Sequence, residues 1–237
     1  MKNYHNGILG KVLIIICVMS IGAGLTFCAP SPQSPGANEP TPQATLTPTP
    51  TPVLTPTPTA TPTPVEESLI DFYPLKTGNM WEYEGEGMEY ASFIQKVVYS
   101  SGNRHQVTND NGGTVMANVL EVRKDSIVNT YRSGEAYTDV NLLGKPSNLN
   151  IILLQTPLEK GNFWISEENH YEIVDIAADV TVPAGEFKDC IAVKATFKDQ
   201  TSNMIFYYKR GIGMVQSEYR TDVGDLITSK LKRYEFK

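Results

Sequence analysis

Residues 41–64 form a nearly pure Thr-Pro tract, and no segment of that composition can join a globular core. Proline at alternate positions fixes φ and pushes each preceding threonine toward extended or polyproline II geometry. Twelve of the sixteen prolines fall between Pro30 and Pro64, leaving Pro74, Pro146, Pro157 and Pro183 for the rest of the chain. Residues 29–65 hold no aromatic side chain and almost no charge, so they bury too little surface to offset the entropy of ordering them. At about 3.1 Å per residue these 37 residues reach about 115 Å, the length of a semi-rigid stalk. The tract therefore divides the chain into a leader (1–27), a Pro/Thr-rich disordered tether (28–65) and a folding domain (66–237).

The leader carries Lys2 and Lys11 ahead of an apolar run over 12–27 with small residues gathered at its end, the layout of a secretory signal. Cys28 follows Leu25-Thr26-Phe27 where the apolar run stops, which resembles the lipobox of bacterial lipoproteins. Leu25 and Thr26 match that pattern, and Phe27 stands where it has a small residue. The resemblance implies lipid attachment at Cys28 and a membrane partner through that anchor, on the outer face of a Gram-positive cytoplasmic membrane. The alternative is an ordinary signal cut after Gly24, which would secrete the protein. Thr-Pro tracts of this kind resemble those of exported Gram-positive proteins, and threonine beside proline at this density suits O-glycosylation.

Charge is partitioned by the tether. Of the 20 Lys and Arg only Lys2 and Lys11 precede residue 66, and of the 26 Asp and Glu only Glu39 does, so the domain carries a net −7. No basic field of the sort nucleic acid requires is present, and no nucleic-acid partner is expected. Cys190 is the single cysteine of the domain, which excludes an internal disulfide framework; flanked by Phe187, Ile191 and Val193, it reads as a buried small apolar residue.

The domain reads as all-β, a strongly curved antiparallel sheet or a partly closed barrel. Short β-prone runs at 81–84, 92–99, 104–108, 114–123, 127–132, 136–140, 151–155, 171–178, 190–197, 204–209, 214–220 and 226–236 alternate with turn chemistry. Asn109-Asp110-Asn111-Gly112-Gly113 and Val182-Pro183-Ala184-Gly185 are the clearest turns. Residues 68–73 suit one helical turn, 141–150 a Gly/Pro-containing crossover, and 205–208 a central strand covered on both faces.

One octapeptide occurs twice. Pro74-Leu75-Lys76-Thr77-Gly78-Asn79-Met80-Trp81 returns as Pro157-Leu158-Glu159-Lys160-Gly161-Asn162-Phe163-Trp164, 83 residues later and identical at five positions. Its physical reading is a turn needing glycine at positive φ, entered by a buried leucine and left by a tryptophan that opens a strand. Two such turns imply two duplicated β-units closing one core. Trp81 and Trp164 then belong to that core, the alternative being a pair of rings that stack a sugar or an acyl chain.

The stretches Tyr73-Pro-Leu-Lys-Thr-Gly-Asn-Met-Trp-Glu-Tyr83, Val180-Thr-Val-Pro-Ala-Gly-Glu-Phe-Lys-Asp-Cys190 and Tyr207-Tyr-Lys-Arg-Gly-Ile-Gly-Met-Val-Gln-Ser-Glu218 resemble a group of tethered β-rich lipoprotein domains exported by clostridia-like bacteria. The resemblance implies a curved antiparallel sheet and a surface location, and carries over no catalytic or binding residue.

Chemistry-bearing constellations are sparse. His105 and His170 lack a second histidine or cysteine at ligand spacing, so no metal site and no cofactor is expected. The cluster Glu167-Glu168-Asn169-His170-Tyr171-Glu172 lacks the alternating spacing of a calcium loop and reads as a solvated hairpin. There is no nucleophile elbow and no phosphate-cradling loop. The expected function is therefore non-catalytic: a cell-surface lipoprotein whose β-domain binds an apolar ligand, a wall polymer or a protein partner. A hydrolase of wall or matrix polymer and a purely structural envelope component are the alternatives.

Overall fold

The computed structural model describes residues 68–237; the signal segment (1–27), Cys28 and the tether (28–65) lie outside the described residues. Twelve strands follow one another as β1 (Met80–Glu86), β2 (Phe93–Ser101), β3 (Arg104–Asp110), β4 (Val115–Val122), β5 (Ser126–Ser133), β6 (Ile151–Gln155), β7 (Phe163–Ser166), β8 (Asn169–Val182), β9 (Gly185–Thr196), β10 (Asn203–Lys209), β11 (Gly213–Arg220) and β12 (Leu226–Glu235). They form one antiparallel sheet in the order β6-β5-β4-β3-β2-β1-β12-β11-β10-β9-β8-β7, nearly closed into a barrel. The all-β reading therefore stands.

The order is that of two six-stranded meanders, β1–β6 and β7–β12, joined where β1 pairs with β12. Each begins with the repeated octapeptide, and the two copies share their hydrogen bonds. Gly78 (φ +94°) and Gly161 (φ +90°) take the left-handed conformation that disfavours a side chain. Their amides donate to Val97 O and Ile173 O, each at 2.8 Å. Asn79 and Asn162 turn their side-chain amides back onto Pro74 O (2.7 Å) and Pro157 O (2.8 Å). Leu75 and Leu158 are buried behind the turns. The duplication is thus one of fold as well as of sequence.

Two strand assignments differ from the sequence reading. Residues 136–140 form no strand, because they lie outside the sheet and no neighbouring strand offers them a ladder. Phe163–Ser166, absent from the β-prone runs, is β7; its run is too short to stand out, yet the tryptophan of the repeated turn opens it. In β7 Trp164 and Ser166 point inward while Phe163 and Ile165 stay exposed, the period of two of a half-buried strand. Residues 205–208 do lie in an interior strand, between β9 and β11, but only Tyr208 is fully buried.

The interior is filled by side chains. One cluster joins Ile127, Ile151, Leu154, Trp164, Ile173 and Val193, and a second joins Trp81, Tyr83, Val97, Val107, Val215 and Leu231. The 3-10 turn Leu69–Phe72 inserts Leu69 and Phe72 into the first cluster. It is clamped by Gly211 N donating to Asp71 O (2.6 Å), by the Arg210–Asp71 ion pair (2.8 Å), and by the Arg210 guanidinium 4.9 Å above the Phe72 ring. At the β1–β2 connection Gly85 allows Ala91 to approach so closely that an added Cβ would lie 2.2 Å from its carbonyl carbon.

Closure between β6 and β7 uses side chains in place of a ladder. Ser166 Oγ accepts from Ile152 N (2.8 Å) and donates to Asn150 O (3.0 Å). Glu167 Oε1 accepts from Asn150 N (2.8 Å), and Trp164 Nε1 donates to Ile152 O (3.1 Å). The backbone groups on the free edge of β6 are thereby satisfied without strand pairing.

Candidate functional site

The two tryptophans are core residues in this geometry. Trp81 is 3 % exposed and Trp164 5 %, their indole N–H groups donating to Ile212 O (2.7 Å) and Ile152 O (3.1 Å). Trp164 lies parallel to Tyr171 at 5.7 Å, and Trp81 meets the edge of Phe236 at 5.5 Å, so protein rings already cover both. The void beside Trp81, lined by Tyr73, Leu75, Gln95, Val107, Leu120 and Met214, holds about 40 Å³, room for water and not for an acyl chain.

The larger concavity is on the outer wall. Residues facing each other across adjacent strands share a side of the sheet, and Val107 of β3 is in the core, so its neighbours Gln106 and Thr108 face out. Over this outer side of β2, β3 and β4 runs the connection from β5 to β6, residues 134–150. It is pinned as a strap. The buried side chain of Gln106 donates through Nε2 to Val140 O (2.9 Å) and accepts at Oε1 from Leu142 N (2.7 Å). Tyr99 donates its hydroxyl to Asp139 O (2.9 Å), and Ala136 N donates to Val115 O (2.9 Å). Leu143 is buried, holding the far side down.

Between strap and sheet lies a groove of about 350 Å³, at the lower end of the range for ligand pockets. Ile94, Val98 and Val115 supply an aliphatic floor. Lys96, Thr108, Asp110 and Asp139 ring it with polar groups. Tyr137 stands at its lip, 64 % exposed, its hydroxyl held toward Gly113 O at 3.4 Å. Asp110 Oδ1 accepts from Gly112 N (2.9 Å), which fixes one carboxylate.

Titration behaviour elsewhere points to structural carboxylates and buried neutral tyrosines. Hydrogen bonds from Lys232 and then Arg233 hold the Glu82 carboxyl below its ordinary range, and Lys230 does the same for Glu86. Partial burial pushes Asp199 up, but the amides of Ser202 and Thr201 outweigh it and the net shift is downward. Burial raises Tyr83 and Tyr208 well above the ordinary phenol and Tyr73 likewise, the Tyr73 and Tyr208 hydroxyls sharing a 2.8 Å hydrogen bond. Burial also drives Tyr171 up to about 12 and the Cys190 thiol up to about 11. His105, half-buried, is lowered by desolvation, and His170 stacks on Phe163 at 5.5 Å. Among the described residues no three His, Cys, Asp or Glu side chains gather as a metal site would require. Glu167 and Glu168 occupy the two-residue turn between β7 and β8, both at positive φ, with Glu167 bonded to Asn150 and Glu168 paired with Lys198 (2.8 Å).

Sequence reading missed the groove because its strap was divided between a strand at 136–140 and a crossover at 141–150. One signal was present. Counting Trp164 as the start of a strand gives the second half six strands and the first half seven, so one run of the first half is surplus to a duplication.

No family model matches the chain, and no curated protein matches it. Solved structures similar to part of it include two bacterial proteins. One, from Bacteroides fragilis, is described as an exported protein of YmcC-like fold; it is 14 % identical with a TM-score of 0.41, the match covering 68 % of this chain and 97 % of that one. The other, from Parabacteroides distasonis, is described as a lipoprotein; it is 13 % identical with a TM-score of 0.39, the match covering 69 % of this chain and 98 % of that one.

Proposed function

We propose that this chain is an exported, non-catalytic binding module, anchored by lipid at Cys28 to the outer face of a Gram-positive cytoplasmic membrane. The Thr-Pro stalk holds the barrel away from that surface, and the strapped groove takes a component of the wall. One observation carries the reading. The second half joins β11 to β12 with five residues, whereas the first half spends 17 joining β5 to β6. The excess is pinned over the sheet at Gln106, Tyr99 and Val115, where it encloses the groove. Long ordered connections in a compact domain are where binding residues concentrate. The filled barrel interior argues against an internally held apolar ligand.

The test has two parts. Cys28→Ser is expected to move the protein from the membrane fraction to the medium; an unchanged distribution refutes the anchor. Purified wall sacculi are expected to retain the full chain and to release it when Thr108→Arg fills the groove from its polar rim. Retention indifferent to that substitution refutes the groove as the site.

A further inference from the structure

We infer that the groove recognises a neutral, hydroxyl-rich glycan strand, an inference that rests on the binding-module reading and names its ligand class. β2, β3 and β4 are interior strands paired on both sides over most of their length; of the floor residues, Val98 stands at the β2–β3 bulge, and Val115 lies ahead of the β4–β5 ladder with its carbonyl already taken by Ala136 N of the strap. An extended peptide gains affinity on a sheet by adding to a free edge, and the groove floor has none. Recognition there falls to side chains alone. A ligand that suits such a floor must bring its own distributed donors and acceptors together with apolar faces.

The side chains of the groove are arranged to meet such a ligand. The aliphatic floor of Ile94, Val98 and Val115 is bordered by Lys96 as donor, Asp110 and Asp139 as acceptors and Thr108 as both. Sugar rings present C–H faces and equatorial hydroxyls in the same alternation. Tyr137, exposed over most of its surface and tethered only at its hydroxyl, offers a ring face at the lip against which a C–H face can lie. The charge balance excludes one other wall polymer. One lysine against two aspartates gives the groove a net negative lining, unsuited to a chain of phosphates. A lipid tail is disfavoured by the same polar ring, whose members would lose water without gaining partners.

The experiment titrates the detergent-purified full chain with N-acetylchitotetraose, with maltotetraose and with a short poly(glycerol phosphate), and measures retention on wall sacculi in parallel. Binding of at least one neutral oligosaccharide is expected, weakened tenfold or more by Tyr137→Ala and abolished by Thr108→Arg. Lys96→Glu, at an exposed position, serves as a second groove variant should Thr108→Arg fold poorly, and is expected to weaken binding without shifting the melting temperature. Preference for poly(glycerol phosphate) overturns the glycan class. So does sacculus retention that is sensitive to Thr108→Arg while neither oligosaccharide binds, although the groove then stands. Indifference of both ligands and sacculi to every groove variant overturns the glycan class and the binding-module reading together.

Discussion

The β6–β7 seam yields the sharpest stability prediction. Its pseudo-symmetric counterpart, β1 against β12, is a ladder of seven residue pairs, whereas the seam rests on five bonds from four side chains, the fifth being Asn162 Nδ2 to Gln155 O at 3.2 Å. Ser166, buried, makes two of them, so Ser166→Ala orphans Ile152 N–H and Asn150 C=O at once. A buried backbone group left unpaired costs about 1–3 kcal/mol. Asn150 is exposed and water can replace one bond, which brings the expected loss to about 2–3 kcal/mol. In a domain of about 170 residues that lowers the melting temperature by about 4–12 °C. The contrast is Lys230→Ala, which breaks the exposed Lys230–Glu86 pair on the β1–β12 side and is expected to cost under about 1 kcal/mol. Urea unfolding followed by tryptophan fluorescence measures both. Hydrogen exchange should show the 150–154 segment opening faster in Ser166→Ala, with 80–86 and 228–235 unchanged. If Ser166→Ala falls within 0.5 kcal/mol of the parent and exchange at 150–154 is unaltered, side chains do not hold the seam.

Further outcomes follow from burial and close contact. Gly85→Ala drives a methyl into Ala91 and is expected to cost about 3 kcal/mol or more, whereas Gly144→Ala, with open space around it, should stay within about 0.5 kcal/mol by the same unfolding assay. Cys190, with no exposed surface and its thiol raised to about 11, should resist iodoacetamide at pH 8 in the native protein and react once unfolded, as peptide mass mapping would read. Folded-state phenol pKa values lie above the unfolded value at Tyr73, Tyr83 and Tyr208, so their contribution to stability is complete below about pH 10 and is lost as pH rises beyond it. An ultraviolet titration should therefore show these tyrosines ionising only with unfolding; early, reversible ionisation of all twelve tyrosines of the chain would contradict their burial.

Much of the fold was legible because short-range chemistry dictates it. The repeated Gly-Asn turn announced the duplication, since only glycine adopts the φ of Gly78 and Gly161 without strain, and the tryptophans after it opened strands in both halves. The core placement of Trp81 agrees with β1, where Trp81 and Tyr83 are buried and Glu82 and Glu84 turn outward. What escaped was non-local. Ala136-Tyr137-Thr138-Asp139-Val140 has strand propensity, but the short unpaired end of β4 gives it one bond, Ala136 N to Val115 O, and no ladder. β7 escaped for the opposite reason: four residues with two apolar side chains turned to solvent look like loop until β8 is seen beside them. The groove combines both failures, its floor being the outward residues of three strands and its roof a run whose sequence imitates a fourth.

The two departures from pseudo-symmetry have one origin, the connection between β5 and β6. In the second half a five-residue turn returns the chain at once, and β12, ten residues long, pairs with β1 over seven of them. In the first half the chain climbs over the outer wall before it returns, and β6 keeps only five residues and meets β7 through side chains. The strap can be removed where its ends already meet, because Asn148 N donates to Thr130 O (3.0 Å) and Asn148 Oδ1 accepts from Arg132 N (2.9 Å). Replacing residues 134–147 with Gly-Asn-Gly-Ser shortens the loop and gains about 1 kcal/mol of closure entropy. It forfeits the burial of Leu143, about 2 kcal/mol, and orphans the Gln106 amide at about 1–3 kcal/mol. Adding Gln106→Val removes that last cost, so the double change should fold with a net loss of about 1–2 kcal/mol. Because the roof of the groove would be gone while the barrel and its core persisted, such a protein should melt cooperatively and fail to bind sacculi. If it melts cooperatively and still binds them, the strap is not what the first half was lengthened to provide.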